Sequence, residues 1–175
     1  MSEEAKQKQN CDIDRLVQDY GNLMLRQAYF YLKDRQKAED ACQEVFLRIY
    51  NKQPVLPDAG SEKAYLLKVT INVCKDYLKS AWNRKVSYMP ENYDAPAIGG
   101  SPEGEVIDAE EKQLLMESVM ELPQIYKDVV LLFYYQDMPT GQIAEILGIP
   151  GVTVRTRLMR AREKLQVIIK RRLKP

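Results

Sequence analysis

Residues 86–104, VSYMPENYDAPAIGGSPEG, hold three prolines and three glycines, and no helical or alternating apolar period crosses them. Such a segment cannot lend a stripe to a core. It reads as a flexible acidic linker between two separately folded halves, 1–85 and 105–175. On both sides apolar residues recur at intervals of three and four, whereas strand-period alternation never exceeds a few residues. The expected fold class is all-α: two small helical domains and no sheet.

The first half carries three helix patterns. Ile13, Leu16, Val17, Tyr20, Met24, Ala28 and Tyr31 form one stripe behind a capping Asp12. A second helix should follow Asp34, burying Ala38, Ala41, Cys42, Val45 and Ile49 and stopping before Pro54. Asn51 to Gly60 reads as a loop, and Ser61 as the cap of a long third helix reaching about Trp82. The second half suggests four helices. Leu114, Leu115, Val119 and Leu122 mark the first. Pro123, at an N1-like position, opens the second, with Tyr126, Val129, Val130 and Phe133 on one face. The third runs from about Thr140 to Leu147 and ends on Gly148. The fourth starts near Pro150, with Val154, Leu158, Ala161, Leu165 and Ile168 facing inward. A short helix, a Gly-Ile-Pro turn and a longer basic helix make a helix-turn-helix.

Composition narrows the chemistry. Histidine is absent, which excludes Ser-His-Asp and Cys-His nucleophiles and every His-ligated metal. Cys11, Cys42 and Cys74 lie too far apart for a metal cluster; Cys42 and Cys74 fall on apolar faces, as core residues would. No Walker-type loop is present. No enzyme, cofactor or metal is expected. The longest apolar run is Val129 to Tyr135, and the N-terminus lacks a signal-peptide core, so a cytoplasmic location is expected. The formal net charge of +1 hides an asymmetry: +3 over 1–86, −7 over 87–111 and +5 over 112–175. A basic C-terminal end suits a polyanion.

Three faces stand out. Opposite the buried stripe of the last helix lie Val152, Arg155, Thr156, Met159 and Arg160, with Arg157, Arg162 and Lys164 flanking. Arginine reads guanine edges and apolar groups meet thymine methyls, so after a helix-turn-helix turn this face favours DNA over a merely solvated basic helix. On the third helix of the first half, Lys68, Lys75 and Lys79 align beside Asn72 and Asp76, with Tyr65, Tyr77 and Trp82 close by. That mixture suits single-stranded nucleic acid, though an ordinary amphipathic helix fits the spacing equally well. On the second helix, Asp40, Gln43, Glu44 and Leu47 oppose the buried stripe; from spacing alone this is a solvated face.

Beyond spacing, the segment Ala38-Glu39-Asp40-Ala41-Cys42-Gln43-Glu44-Val45-Phe46 resembles the second-region signature of bacterial sigma factors. Leu67 to Leu78 resembles the long helix that follows it. Ile143 to Pro150 and Thr153 to Leu165 resemble the fourth-region helix-turn-helix. With these two domains and a short linker, the chain resembles the extracytoplasmic-function (ECF) group. It departs from the usual pattern at Tyr65 (commonly Trp), at Pro139 (commonly Ser or Thr) and at Gly151-Val152 (commonly Val-Gly).

The resemblance implies roles. Asp40, Gln43, Glu44 and Phe46 would dock on the β′ clamp of core RNA polymerase, with the C-terminal domain on the β flap. Asn51 to Gly60 would capture a flipped minus-ten base. Lys68, Asn72, Lys75, Asp76 and Lys79 would meet the melting minus-ten DNA. Val152, Arg155, Thr156, Arg157, Met159 and Arg160 would face the minus-thirty-five element. The implied partners are core polymerase, promoter DNA and an anti-sigma factor, itself membrane-anchored, and the implied function is promoter-specific initiation. The rival readings are a regulator using only the helix-turn-helix, and a nucleic-acid-modifying enzyme.

Overall fold

The computed structural model describes residues 11–83 and 109–174, and every regular element among them is helical. The chain separates into two compact units. The linker reading for 86–104, the charges of Arg84 and Lys85 and the side chain of Trp82 lie outside the described residues.

The N-terminal unit comprises α1 (Ile13–Leu32), α2 (Arg35–Lys52) and α3 (Ala59–Asn83), each packed on the other two. Aspartate opens all three. Asp12 accepts from Arg15 N–H at 3.1 Å, Asp34 from Lys37 N–H at 3.0 Å and Asp58 from Ser61 N–H at 2.8 Å. Each bond satisfies an amide that the first helical turn leaves without a partner. The first two helices end in the left-handed region, at Lys33 (φ 52°) and Gln53 (φ 45°). The core is Leu16, Met24 and Ala28 from α1, the expected five residues of α2, and Leu66, Leu67, Ile71, Val73 and Cys74 from α3. Alanines in the α2 stripe let its backbone approach both neighbours closely. Two expectations shift here. The loop is shorter than Asn51 to Gly60, because α2 continues through Lys52 and α3 begins at Ala59. Asp58 rather than Ser61 is the cap.

The C-terminal unit comprises α4 (Ala109–Met120), α5 (Gln124–Val130), α6 (Thr140–Leu147) and α7 (Gly151–Leu173). Helix α5 runs into one wide π turn, Leu131–Tyr135, in which Gln136 N–H reaches the Leu131 carbonyl at 3.1 Å. A π turn carries an extra residue per turn. Val129, Val130, Leu131 and Leu132 are all buried, whereas Phe133, placed in the core by periodicity, is half-exposed. Leu115, also read as core, is 40% exposed, and Met116 takes the inward position. Val154, Leu158 and Ala161 of α7 are buried as expected, but Leu165 and Ile168 are only half-buried. Pro123 precedes its helix at the cap position rather than at N1. Pro139 and Pro150 stand at the caps of α6 and α7 without a side-chain bond.

The turn between α6 and α7 rests on Gly148, at φ 65° and ψ 37°, where Ile149 N–H returns to the Ala144 carbonyl at 3.0 Å. The left-handed conformation strains any residue carrying a Cβ. Gly148→Ala should therefore cost about 1 kcal/mol. Gly141→Ala, in α6 with open space at its Cβ, should have the opposite sign, stabilising by about 0.5 kcal/mol. Urea unfolding of both variants checks the pair.

Candidate nucleic-acid and docking surfaces

Helix α2 divides cleanly. With its stripe buried, Asp40, Gln43 and Leu47 are exposed and Glu44 and Phe46 half-exposed. Toward α1, a shallow apolar groove is lined by Val17, Leu25, Cys42, Phe46, Leu47 and Tyr50, with Gln43 at its side. Leu47 is 58% exposed and Tyr50 63%. Sequence reasoning found Gln43, Glu44 and Phe46 but missed Tyr50, and it placed Val17 in the apolar stripe of α1, whereas Val17 is 44% exposed at the groove. Only packing brings α1 beside them.

On the other side of α2, Glu44 meets α3 through Arg48. The guanidinium donates from Nε to Glu44 Oε1 at 2.8 Å, and its Nη2 lies 3.7 Å from Asp76 Oδ2. Two residues assigned to different surfaces therefore share one cation. Burial, and then the carboxylates of Asp40 and Glu44, push the Tyr77 phenol above its ordinary range, which places Tyr77 at the same junction. Along α3, Lys68, Asn72, Asp76 and Lys79 are exposed, while Lys75, Tyr65 and Tyr77 are half-buried. The basic stripe is thus one outward face with Tyr65 at its edge, whereas Tyr77 lies about half a turn round the helix, toward α2. Burial pushes the Cys42 thiol up to about 11, and that of Cys74 up to about 12, so both are inert at neutral pH.

A polar cluster that spacing did not reveal joins α1 to the start of α3. Glu62 is buried and accepts from both terminal nitrogens of Arg15, at 2.5 and 3.2 Å, with the Tyr20 hydroxyl also at 3.2 Å. The Arg15 hydrogen bonds hold the Glu62 carboxyl below the usual carboxylate range, against the opposing effect of burial.

On α7, Val152 is 65% exposed and Met159 51%. Arg155 and Arg160 are exposed with them, and the Thr156 hydroxyl is half-buried, donating back to the Val152 carbonyl at 3.0 Å. The predicted face is therefore contiguous and outward, with Arg157 half-buried at its border. The flanking cations are otherwise engaged. Arg162 donates to the Tyr134 hydroxyl at 2.7 Å and lies over its ring, and Lys164 lies over the ring of Tyr126. Arg171 pairs with Glu121, and Arg172 with Glu121 and Glu117. The exchange at Gly151-Val152 is sterically mild, since a Cβ at Gly151 would meet only Arg155, at an ordinary 3.7 Å.

Residues 16–84 match sigma-70 region 2, and residues 112–165 match sigma-70, region 4. The chain is 29% identical over 151 residues to the probable RNA polymerase sigma factor RfaY of Xanthomonas campestris, covering 85% of this chain and 38% of that one. It is 27% identical over 162 residues to the ECF RNA polymerase sigma factor SigW of Bacillus subtilis, covering 86% and 85%. The chain thus spans well under half of RfaY but most of SigW. In fold it is similar to the sigma factor RpoE of Bartonella quintana, solved in complex with the anti-sigma factor NepR, with a TM-score of 0.71 and 20% identity over 91% of this chain and 97% of that one. No helix among the described residues is long and apolar enough to cross a membrane.

Because the Glu62 carboxyl is depressed, its contribution is present at neutral pH and lost as pH falls through its folded value, below the ordinary 4.5. Glu62→Gln should therefore lower the melting temperature at pH 7, with the difference shrinking toward pH 3. Thermal unfolding of both proteins across that range checks it.

Proposed function

Since this chain belongs to the ECF group of sigma-70-family RNA polymerase sigma factors, we propose that it binds core polymerase and directs promoter-specific initiation. In this reading residues 1–85 form the region 2 domain, 86–104 the linker and 105–175 the region 4 domain. Asp40, Gln43, Glu44 and Phe46 dock on the β′ clamp, and the C-terminal domain on the β flap. Lys68, Asn72, Lys75, Asp76 and Lys79 meet the minus-ten strand as it opens. Val152, Arg155, Thr156, Arg157, Met159 and Arg160 read the minus-thirty-five duplex.

The observation that carries the proposal is the pairing, in one small unit, of two unlike surfaces. Helix α2 offers an apolar groove edged by Gln43 and Glu44, the chemistry of a protein interface. Helix α3 offers lysines beside the half-exposed Tyr65, the chemistry of an unstacked strand, whose bases stack on rings and whose phosphates need cations. A regulator that only gripped duplex DNA through α7 would need neither. RpoE of Bartonella quintana is held by the anti-sigma factor NepR. We extend that kind of control to this chain, with a membrane-anchored inhibitor covering the same surfaces in the cytoplasm.

In vitro transcription with purified core polymerase and genomic DNA tests the reading; the absence of specific start sites overturns it. Gln43→Ala combined with Glu44→Ala should abolish co-purification with core polymerase while leaving the circular dichroism spectrum unchanged.

The minus-thirty-five surface makes its own prediction. Arg155→Ala or Arg160→Ala should cost about 1–3 kcal/mol on a selected duplex and little on a scrambled one. Of the nine basic residues between Pro150 and Pro175, Arg162, Lys164, Arg171 and Arg172 are engaged within the unit, and Lys170 and Lys174 lie at the far end of α7. Three arginines remain on the reading face, so the slope of log K against log salt should be about −3 rather than the roughly −8 of nine contacts. Fluorescence anisotropy over a salt series measures both quantities.

A further inference from the structure

Arg48 lies one turn after Glu44 on α2 and reaches across to α3. Its Nε donates to Glu44 Oε1 at 2.8 Å, which holds one side of the guanidinium. Its Nη2 stops 3.7 Å from Asp76 Oδ2. That gap is short enough for charge attraction but about 1 Å too long for a charge-assisted hydrogen bond. The hydrogen bond to Glu44 is the main cause that pushes the Arg48 pKa up, and the charge of Asp76 adds to it. The side chains of Arg48 and Glu44 are each 40% exposed, and that of Asp76 is 59% exposed. Among the described residues, these two carboxylates are the ion-pair partners of Arg48, and no burial locks the guanidinium in its present place.

The two carboxylates stand on different surfaces. Glu44 is open enough for a cation on a docked protein to reach it. Asp76 is the only carboxylate in the set Lys68, Asn72, Lys75, Asp76 and Lys79, where a negative charge opposes the phosphates that the lysines attract. A guanidinium is a rigid planar fork, so it can bind one carboxylate at two points or two carboxylates at one point each. As the side chains stand, Glu44 holds the hydrogen bond and Asp76 is only partly compensated. A competing cation at Glu44 reverses that balance, because the fork then gains more by closing on Asp76. The move is about 1 Å at the tip of one half-exposed side chain and requires no shift of either helix.

We propose that Arg48 is a positioning residue shared by turns between the two surfaces: when a cation of the docked polymerase takes Glu44, Arg48 closes on Asp76 and cancels the one negative charge of the strand-facing stripe. The inference rests on the reading of Glu44 as a docking residue and of Asp76 as strand-facing. It adds a residue that belongs to neither set and a direction of effect. Docking strengthens the hold on the strand, and by linkage the strand strengthens docking by the same factor. The size follows from the kind of contact. One exposed charge pair gained or lost changes affinity by roughly threefold, so Arg48 tunes strand binding without deciding it.

The test uses the whole chain, with and without core polymerase, and a fluorescent single strand from a promoter mapped by the transcription assay. Strand affinity is measured in both states, and core affinity without DNA is measured separately. The contacts that core itself makes with the strand are common to every variant and cancel in the comparison. Arg48→Met keeps an apolar stem but no charge. It should lower strand affinity in the presence of core by roughly threefold, without weakening core binding. Adding Asp76→Asn to Arg48→Met should restore that affinity to about the wild-type value, because no charge is left to cancel. Asp76→Asn alone should raise strand affinity without core by roughly threefold and shrink the gain that core brings. If Arg48→Met leaves the gain from core unchanged, the shared role is overturned. If Arg48→Met lowers strand affinity and Asp76→Asn fails to rescue it, Arg48 merely ties two helices together and the inference is overturned. Asp76→Asn alone weakening the strand also overturns it. A wild-type chain that binds no core, or no strand in its presence, refutes the docking or strand reading itself.

Discussion

The rotational setting of two helices decides what this chain presents to a partner. In α2 the setting is fixed by Ala38, Ala41, Cys42, Val45 and Ile49, and in α7 by Val154, Leu158 and Ala161. Both stripes combine small residues with branched or long apolar ones, so neighbouring backbones come close at the small positions and side chains fill the rest. A rotation of one residue, about 100°, would bury Asp40 or Arg155 and expose a core residue, at a cost of several kcal/mol. The outward faces are therefore consequences of the inward ones.

Much of this was legible because helical spacing is local. The caps Asp12 and Asp34, the α2 stripe, the end of α6 at Gly148 and the reach of α3 follow from residues within a turn or two of one another. What escaped has a common cause. Lys33 and Gln53 adopt left-handed backbone without being glycine, so no glycine marks those helix ends; Pro54 bounds α2 only from beyond, and the loop looked longer than it is. The π turn allows four successive apolar residues to be buried where a regular helix favours a stripe, and so displaced Phe133. Leu115 is apolar yet exposed, since apolarity permits burial without compelling it. The candidate surfaces divide the same way: Gln43, Glu44 and the α7 face lie on single helices and were readable. The groove toward α1 and the Arg15–Glu62 pair, separated by 47 residues, exist only after packing.

Charge tells a similar story at longer range. The excess of basic residues at the C-terminal end suggested contact with a polyanion there. Folding divides it. The N-terminal half of α7 keeps its arginines outward, and the C-terminal half turns Arg171 and Arg172 onto Glu117 and Glu121 of α4. Exposed pairs of this kind contribute little stability singly, about 0–1 kcal/mol. Their pairing leaves Arg155 and Arg160, near the turn between α6 and α7, as arginines of α7 that face outward without such a carboxylate.

Arg48 has a different consequence, one that concerns change over generations. Its guanidinium sits between Glu44, on α2, and Asp76, on α3. A replacement at Glu44 alters the counter-ion available to Asp76, and a replacement at Asp76 alters the hold on Glu44. Mutations on the two faces should therefore be epistatic, with one face tolerating only those variants that the state of the other permits. Under the proposed reading, drift toward a new polymerase surface and drift toward a new promoter would not be independent traits, because they pass through the same side chain.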